Sequence, residues 1–181
     1  MDTTESEHKP DSGSTAREGE QGQHEALYDR FAERVRELFD AGQEKSKEAM
    51  EHAMEVARQQ LSDAGDFSAE QGEVFKKFMR RDLEQTTQDM RVLGQEAKEY
   101  LHPARLGAGA LSSIARLLEA TGLALQSLSH KAEDALHYHT GEITTAGTLS
   151  CTQCGQKVQL KHTAKIPPCP NCHGSDFRKG Y

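Results

Sequence analysis

Apolar side chains recur every three or four residues in three stretches of the chain, which predicts three helices. The first stretch carries the apolar residues Leu27, Phe31, Val35, Leu38, Ala49, Met50, Ala53, Val56, Ala57 and Leu61. Only a weak polar interval interrupts it, so we predict one helix of roughly 35 residues, about 50 Å long at a rise of 1.5 Å per residue. Gly65 marks the expected C-terminal end of this helix.

The second stretch has the spacing of a coiled-coil seam. Ser68 and Gln71 predict a capping box at its start. Steps of three and four residues, typical of a coiled coil, then connect Phe75, Met79, Leu83, Thr86, Met90, Leu93 and Ala97. Pro103 ends this helix, because proline lacks the N–H that the helical hydrogen bonds require.

The third stretch predicts a helix from about Ala104 to His137. Its apolar stripe consists of Leu111, Ile114, Leu118, Leu125, Leu128, Ala132 and Leu136. The most apolar part of the helix contains Arg116 and Glu119. Each of these charges costs roughly 2.5–3.5 kcal/mol to insert into a bilayer, so we predict a buried helix and no stable membrane insertion.

Short β-prone pieces follow the helices. Gly141 and Gly147 flank the first piece, and Val158 and Leu160 alternate with polar neighbours in a later one. Residues 1–24 contain almost no apolar side chain, so we predict that they form a disordered acidic tail. The predicted organisation is therefore a tail (1–24), a helical domain (25–138) and a small β module (139–181).

This organisation defines a mainly α fold class with a small β module. We predict a long antiparallel helical hairpin or a three-helix coiled-coil-like bundle, followed by the β module. Hydrophobic residues make up 35% of the 181 residues and Trp is absent, which suits a helical seam better than a thick globular core. The acidic start shows no signal peptide, so we expect a cytoplasmic location, in which thiols stay reduced.

All four cysteines lie in two C-x-x-C pairs within the β module. Fourteen residues separate Cys151 and Cys154 from Cys169 and Cys172, and two such pairs at this spacing are a strong metal-binding signal. Gly155 follows the first pair where a turn of positive φ is expected, and His173 stands at the equivalent place in the second pair.

Four thiolates predict a closed, structural Zn²⁺ site. A module of roughly 40 residues has too small an apolar core to fold alone, and metal binding worth on the order of 10 kcal/mol would supply the difference. A closed site leaves no coordination position for a substrate or a water, so we do not expect an enzyme.

Iron is the alternative metal, because the two cysteine knuckles also look like those of rubredoxin-type iron domains. Such a site would make the chain an electron-transfer protein. A di-iron centre in the helices would need Glu-x-x-His motifs, for which Glu99 with His102 and, loosely, Asp134 with His137 are the candidates.

The β module is basic, although the formal net charge of the chain is −7. Against Glu142 and Asp176 it carries Lys157, Lys161, Lys165, Arg178 and Lys179. These five cations are candidates for contact with nucleic acid, and Phe177 or Tyr181 are candidates for stacking on a base. Arg80 and Arg81 on the second helix are interpreted instead as solvated surface charges.

Several motifs resemble those of the YbeL-like bacterial zinc-ribbon proteins, a family carried as a domain of unknown function. They are “RRDLE” (80–84), “YHTGE” (138–142), the two cysteine pairs and “FRKG” (177–180). The resemblance covers most of residues 26–181. It implies a helical N-terminal region followed by a C-terminal zinc ribbon, with no established activity.

These observations together predict a non-enzymatic adaptor with a zinc ribbon. Its helices would bind a protein partner or a second copy of the chain. The alternatives are binding of nucleic acid, or of the transcription or translation machinery, through the basic ribbon, and electron transfer through iron.

Overall fold

Four helices precede a small β module in the computed structural model, which describes residues 14–93, 109–121 and 136–180. The helices are α1 (Ser14–Ala41), α2 (Lys47–Asp63), α3 (Ala69–Leu93) and α4 (Ala110–Thr121). The predicted fold class, mainly α with a small β module, is confirmed. None of the described helices is long and apolar enough to cross a membrane.

The helices bury the apolar stripes that the sequence predicts. Phe31 and Val35 of α1, Ala53 and Ala57 of α2, and Met79 of α3 are all at most 4% exposed. The rings of Phe31, Phe67 and Phe75 pack edge-on or tilted at one end of this core, with centroids 5.3 to 6.3 Å apart. Because α1 packs against both α2 and α4, it forms the middle of the bundle.

The first predicted helix is two helices in the structure. Residues 42–46 separate α1 from α2, and Ser46 caps the new helix, since its Oγ accepts a hydrogen bond from the Ala49 N–H at 3.1 Å. Gly65 has the expected positive φ of 81° after α2. A serine N-cap gives α2 its own start. The prediction missed this cap because the apolar stripe resumes directly after it, at Ala49.

The outer limits of the helical region also differ from the prediction. Helix α1 begins at Ser14, so residues 14–24 of the predicted disordered tail are helical; six of these eleven residues are Ala, Arg, Glu or Gln, which favour helix. His137 belongs to a strand and not to a helix. The structure does not describe residues 1–13 or the predicted stripe positions from 94 to 108 and from 122 to 135. It also does not describe the side chains of Met90 and Leu93.

The β module contains a four-stranded and a two-stranded sheet. Its strands are β1 (His137–His139), β2 (Ile143–Thr144), β3 (Gly147–Cys151), β4 (Lys157–Leu160), β5 (Ala164–Lys165) and β6 (Asp176–Gly180). The larger sheet is antiparallel, in the order β1-β6-β3-β4, and β2 pairs with β5. We refer to residues 136–180 as the ribbon.

Helix α3 is buried on two faces, one against the other helices and one against the ribbon. Phe75, Met79 and Leu83 face the helical core, whereas Arg81 and Asp82 are buried on the side where β2 and β6 pack. The ribbon therefore lies against the helices in direct contact.

Candidate metal centre

Two knuckles with the same backbone hydrogen bonds present the four cysteines. In the first, the Gly155 N–H donates to the Cys151 carbonyl and the Cys151 N–H donates to the Gln156 carbonyl. In the second, His173 and Gly174 take the equivalent places around Cys169. Each knuckle turns back on itself within five residues, so both sulfurs of a pair can face one point.

The position after each second cysteine has a left-handed backbone conformation. Gly155 has a φ of 73° and His173 a φ of 58°. Such values cost little for glycine and more for a residue with a Cβ. The sequence prediction that Gly155 and His173 hold equivalent turn positions is thus confirmed. At Gly174 a Cβ would lie 3.3 Å from the Cys172 Sγ and 2.7 Å from the end of the exposed Gln153 side chain, so a larger residue there would require Gln153 to move.

The four sulfur atoms lie within 4.8 Å of one another. The Sγ atoms of Cys151 and Cys172 are 3.6 Å apart, and those of Cys154 and Cys169 are 3.5 Å apart. Four thiolates at about 2.3 Å from a tetrahedral ion would be roughly 3.8 Å apart. The donor set and its spacing therefore fit a single metal ion with four sulfur ligands.

The crowded thiols differ strongly in acidity. The Gln156 backbone N–H, followed by the Asn171 side chain, lowers the pKa of Cys154 to about 6. At Cys172 the Gly174 backbone N–H lowers the pKa, but hydrogen bonding to Cys154 and burial outweigh it and raise the pKa to about 12. A cation is needed to hold all four sulfurs as thiolates, because metal ligation releases the protons that the crowded sulfurs otherwise share.

The four cysteines lie partly in the core of the ribbon and partly at its surface. Cys151 and Cys169 are buried, Cys154 is exposed and Cys172 is half-buried. The buried pair packs into the ribbon core, which consists of Tyr138, Leu149, Cys151, Ile166, Cys169 and Phe177. With only four other residues in this core, the ribbon resembles the small domains that need a metal to fold. His162 and His173 are exposed and stand outside the sulfur cluster.

The predicted nucleic-acid contacts divide into two groups. Lys157, Lys161, Lys165 and Arg178 are exposed. Lys179 is only 7% exposed, and its Nζ donates to Thr144 Oγ1, Thr145 O and Thr145 Oγ1 at 3.0, 2.9 and 2.6 Å. The proposal that Lys179 contacts nucleic acid is thus wrong for this structure. Phe177 is fully buried and cannot stack on a base, and Tyr181 lies outside the described residues.

A buried polar centre between ribbon and helices was missed by the sequence analysis. Asp82 on α3 is 1% exposed. Its carboxylate accepts hydrogen bonds from Tyr28 OH (3.1 Å), Tyr138 OH (3.4 Å), Thr144 Oγ1 (2.9 Å) and the Thr145 N–H (3.2 Å). We define the Asp82 centre as Tyr28, Arg81, Asp82, Tyr138, Thr144, Thr145 and Lys179.

Arg81 is part of this centre, so its interpretation as a solvated charge is wrong. Its guanidinium lies 3.9 Å from the Tyr138 ring centroid, hydrogen-bonds the Ile143 carbonyl at 2.9 Å and pairs with Glu142. Burial alone would lower the pKa of Arg81, but the carboxylates of Asp82 and Glu142 raise it. The positive charges of Arg81 and Lys179 lie near the negative charges of Asp82 and Glu142. Buried charges require such compensation.

One signal in the sequence could have revealed the Asp82 centre. Asp82 lies three residues after Met79 and four before Thr86, so it stands at the edge of the apolar stripe, beside Leu83. An acidic residue at the edge of a buried stripe requires a partner if it is buried as well. Its partners on the ribbon are more than 50 residues away in sequence, and no local pattern identifies them.

A second contact ties the ribbon to α1 and α4. Asp29 Oδ1 accepts a hydrogen bond from Thr163 Oγ1 at 2.6 Å and from the Ala110 N–H at 2.7 Å. One carboxylate of α1 thus caps the start of α4 and binds the ribbon. Glu25 accepts a further bond from the Lys165 N–H at 2.9 Å.

Of the residues considered for a di-iron centre, only His137 is described, and it lies in β1 of the ribbon. Glu99, His102 and Asp134 lie outside the described residues. A Glu-x-x-His motif projects both side chains from one helix, so His137 in a strand does not fit the loose pairing of Asp134 with His137.

Comparison with known proteins agrees with the four-cysteine cluster. No curated protein and no solved structure matches the chain. Residues 37–180 match a protein family described as a zinc-ribbon containing domain. Because the match spans most of the helices as well as the ribbon, the chain belongs to this family, whose function is unknown.

Proposed function

We propose that the protein is a non-enzymatic interaction module whose ribbon is held together by one Zn²⁺ ion. The observation that supports this function best is the convergence of four thiols within 4.8 Å. Four sulfur ligands complete a tetrahedral shell, which leaves no open position for a substrate or a water. Zinc bound here would supply structure and no redox chemistry.

The partner surface is proposed to lie on polar parts of the molecule. Among the described residues, Val74 is the exposed large hydrophobic side chain, at 45%. The apolar stripe positions that the structure describes in α1, α2, α3 and α4 are used inside the bundle. A partner that binds the described surface would therefore meet mainly charged and polar groups, as in many transient interfaces.

Metal analysis of the purified full-length protein tests the metal and its identity. We expect one zinc per chain and a colourless solution. The double variant Cys154→Ser/Cys172→Ser should lose the metal. The exposed His162→Ala variant is the matched control and should keep it. Visible absorption together with bound iron would overturn the zinc proposal in favour of a rubredoxin-like site, and absence of any metal would overturn both.

Binding of nucleic acid is the second candidate function, and the register of the larger sheet favours it. Lys157 and Arg178 lie directly opposite Ser150 on either side, and His137 lies opposite Arg178. Strands are about 4.8 Å apart, so the two cations stand roughly 10 Å apart on one face. That face offers the two cations and the Ser150 hydroxyl to phosphates, and it carries the imidazole ring of His137 beside them.

The salt dependence of binding tests this second function. Fluorescence anisotropy with single- and double-stranded probes should show binding that weakens steeply as salt increases, because phosphate contacts release counterions. The variant Lys157→Gln/Arg178→Gln should weaken binding. Lys77→Gln, which removes an exposed charge from α3, should not. Absence of binding to both probes even at low salt would exclude this function.

A further inference from the structure

The buried carboxylate of Asp82 on α3 joins the ribbon to two helices. Of the four groups that donate to Asp82, Tyr28 comes from α1, whereas Tyr138, Thr144 and Thr145 come from the ribbon. Every atom of these contacts is buried, since Tyr28, Tyr138, Thr144 and Thr145 are 0% exposed. The packing of α3 thus depends on donors that the ribbon supplies.

The ribbon places these donors only when it is folded. Thr144 lies in the two-residue strand β2, whose partner β5 precedes the second cysteine knuckle by a few residues. Tyr138 belongs to the same small core as Cys151 and Cys169. Because that core depends on its metal, loss of the metal would withdraw the ribbon's donors from Asp82.

Withdrawal of the donors would leave charges on α3 without partners. Arg81 would lose Glu142, the Ile143 carbonyl and the Tyr138 ring. Its Nε already has no hydrogen-bond partner among the described residues, although it lies 3.7 Å from Asp82. A buried charge that loses its partners is strongly destabilising, so α3 and α1 would separate locally or admit water.

From this geometry we infer that metal occupancy of the ribbon and packing of the helical bundle are thermodynamically linked through the Asp82 centre. Binding of zinc tightens α1 against α3, and by reciprocity a well-packed bundle raises the affinity of the ribbon for zinc. This inference rests on the proposed zinc binding.

Hydrogen exchange on the full chain, with zinc and after chelation, tests the linkage. We expect the amides near Tyr28 in α1 and near Asp82 in α3 to exchange at least several-fold faster after chelation. The amides of α2 should change less, because α2 packs mainly on α1 and α3 and not on the ribbon. Unchanged exchange in α1 and α3, in a protein shown to release zinc, would overturn the inference. A protein that never contained zinc would instead overturn the proposed function.

Two variants separate the linkage from general destabilisation. Thr144→Val removes a donor from the ribbon and leaves every helical residue in place, and Asp82→Asn removes the acceptor charge. Each should weaken zinc affinity in competition with a chelator by about tenfold, within the 5–150-fold range of typical couplings. Glu51→Gln serves as control, because it breaks the exposed ion pair between Glu51 of α2 and Arg80 of α3, the helix that carries Asp82. Equal affinity in all three variants would refute the role of Asp82.

Discussion

Gly155 and His173 show how one backbone angle sets the geometry of a knuckle. Both have positive φ, yet only one of them is a glycine. A Cβ at Gly155 would meet no atom within 4 Å, so the cost of a substitution there comes from the backbone alone. The position thus allows the left-handed turn to be tested without a steric clash.

Replacement of Gly155 with alanine should lower the free energy of unfolding of the metal-loaded protein by about 1 kcal/mol, because a Cβ disfavours this conformation. Gly155→Asn should cost less, since asparagine visits the left-handed region more readily. Urea denaturation of both variants measures the difference. Equal loss in the two variants would mean that the turn conformation is not the cause.

Lys179 is a buried cation whose charge the fold disfavours. Burial lowers its pKa to about 8 from the ordinary 10.5, although Asp82 and Asp89 act in the opposite direction and Arg81 acts with burial. The unfolded chain therefore binds more protons than the folded protein between these two pH values. Lys179 therefore contributes a rise in the free energy of unfolding as the pH increases from about 8 to 10.5.

The variant Lys179→Met should lose this rise, which amounts to at most about 1.4 kcal/mol per pH unit for one proton. Urea denaturation at several pH values between about 8 and 10 compares the slopes, with the exposed Lys77→Met as control. Measurements should stay below the titration of Tyr28, whose pKa burial and Asp82 raise well above 10.0. Parallel slopes in the wild type and Lys179→Met would contradict the lowered pKa.

Local patterns predicted some residue roles and missed others. The cysteines, Gly155 and the Ser68–Gln71 box could be predicted, because their partners lie a few residues away; Gln71 N donates to Ser68 Oγ at 3.2 Å and Ser68 N to Gln71 Oε1 at 3.1 Å. Arg81 and Lys179 resemble surface charges in sequence. Their burial follows from contacts 62 residues away for Arg81 and 34 to 35 residues away for Lys179, which no local spacing encodes.

Among the elements, α1 and α2 show the limit of an apolar stripe. The stripe located the buried faces of both helices, but the prediction joined them into one because the stripe resumes after the short polar interval at residues 42–46. Hydrogen bonds on both sides define the break: the Ala49 N–H donates to Ser46 Oγ at the start of α2, and Lys45 Nζ donates to the Asp40 carbonyl at the end of α1.

Removal of this cap should destabilise α2 specifically. Ser46→Ala should lower the free energy of unfolding by about 1 kcal/mol, the usual cost of a lost serine N-cap. Ser62→Ala, in the last turn of the same helix, is the control and should change it by less than about 0.5 kcal/mol. A similar loss for both serines would show that the cap has no special role.

At the scale of the whole molecule, the ribbon and the helices form one continuous contact network. The sequence predicted a boundary at 138/139, and composition does change there, from helical stripe to β-prone pieces. The contacts do not stop at that boundary, because Asp82, Asp29 and Glu25 all accept hydrogen bonds from the ribbon. Each of these bonds joins residues more than 60 positions apart, beyond the reach of sequence patterns.

One network predicts one unfolding transition. On heating of the metal-loaded protein, loss of helical circular dichroism and release of zinc to an indicator dye should have the same midpoint, as expected for a cooperative unit. In Thr144→Val both midpoints should be lower than in the wild type, because the ribbon has lost a bond to Asp82. If the two midpoints also differ, zinc release should have the lower one. Loss of helix while zinc stays bound in the wild type would show that the ribbon is an independent domain.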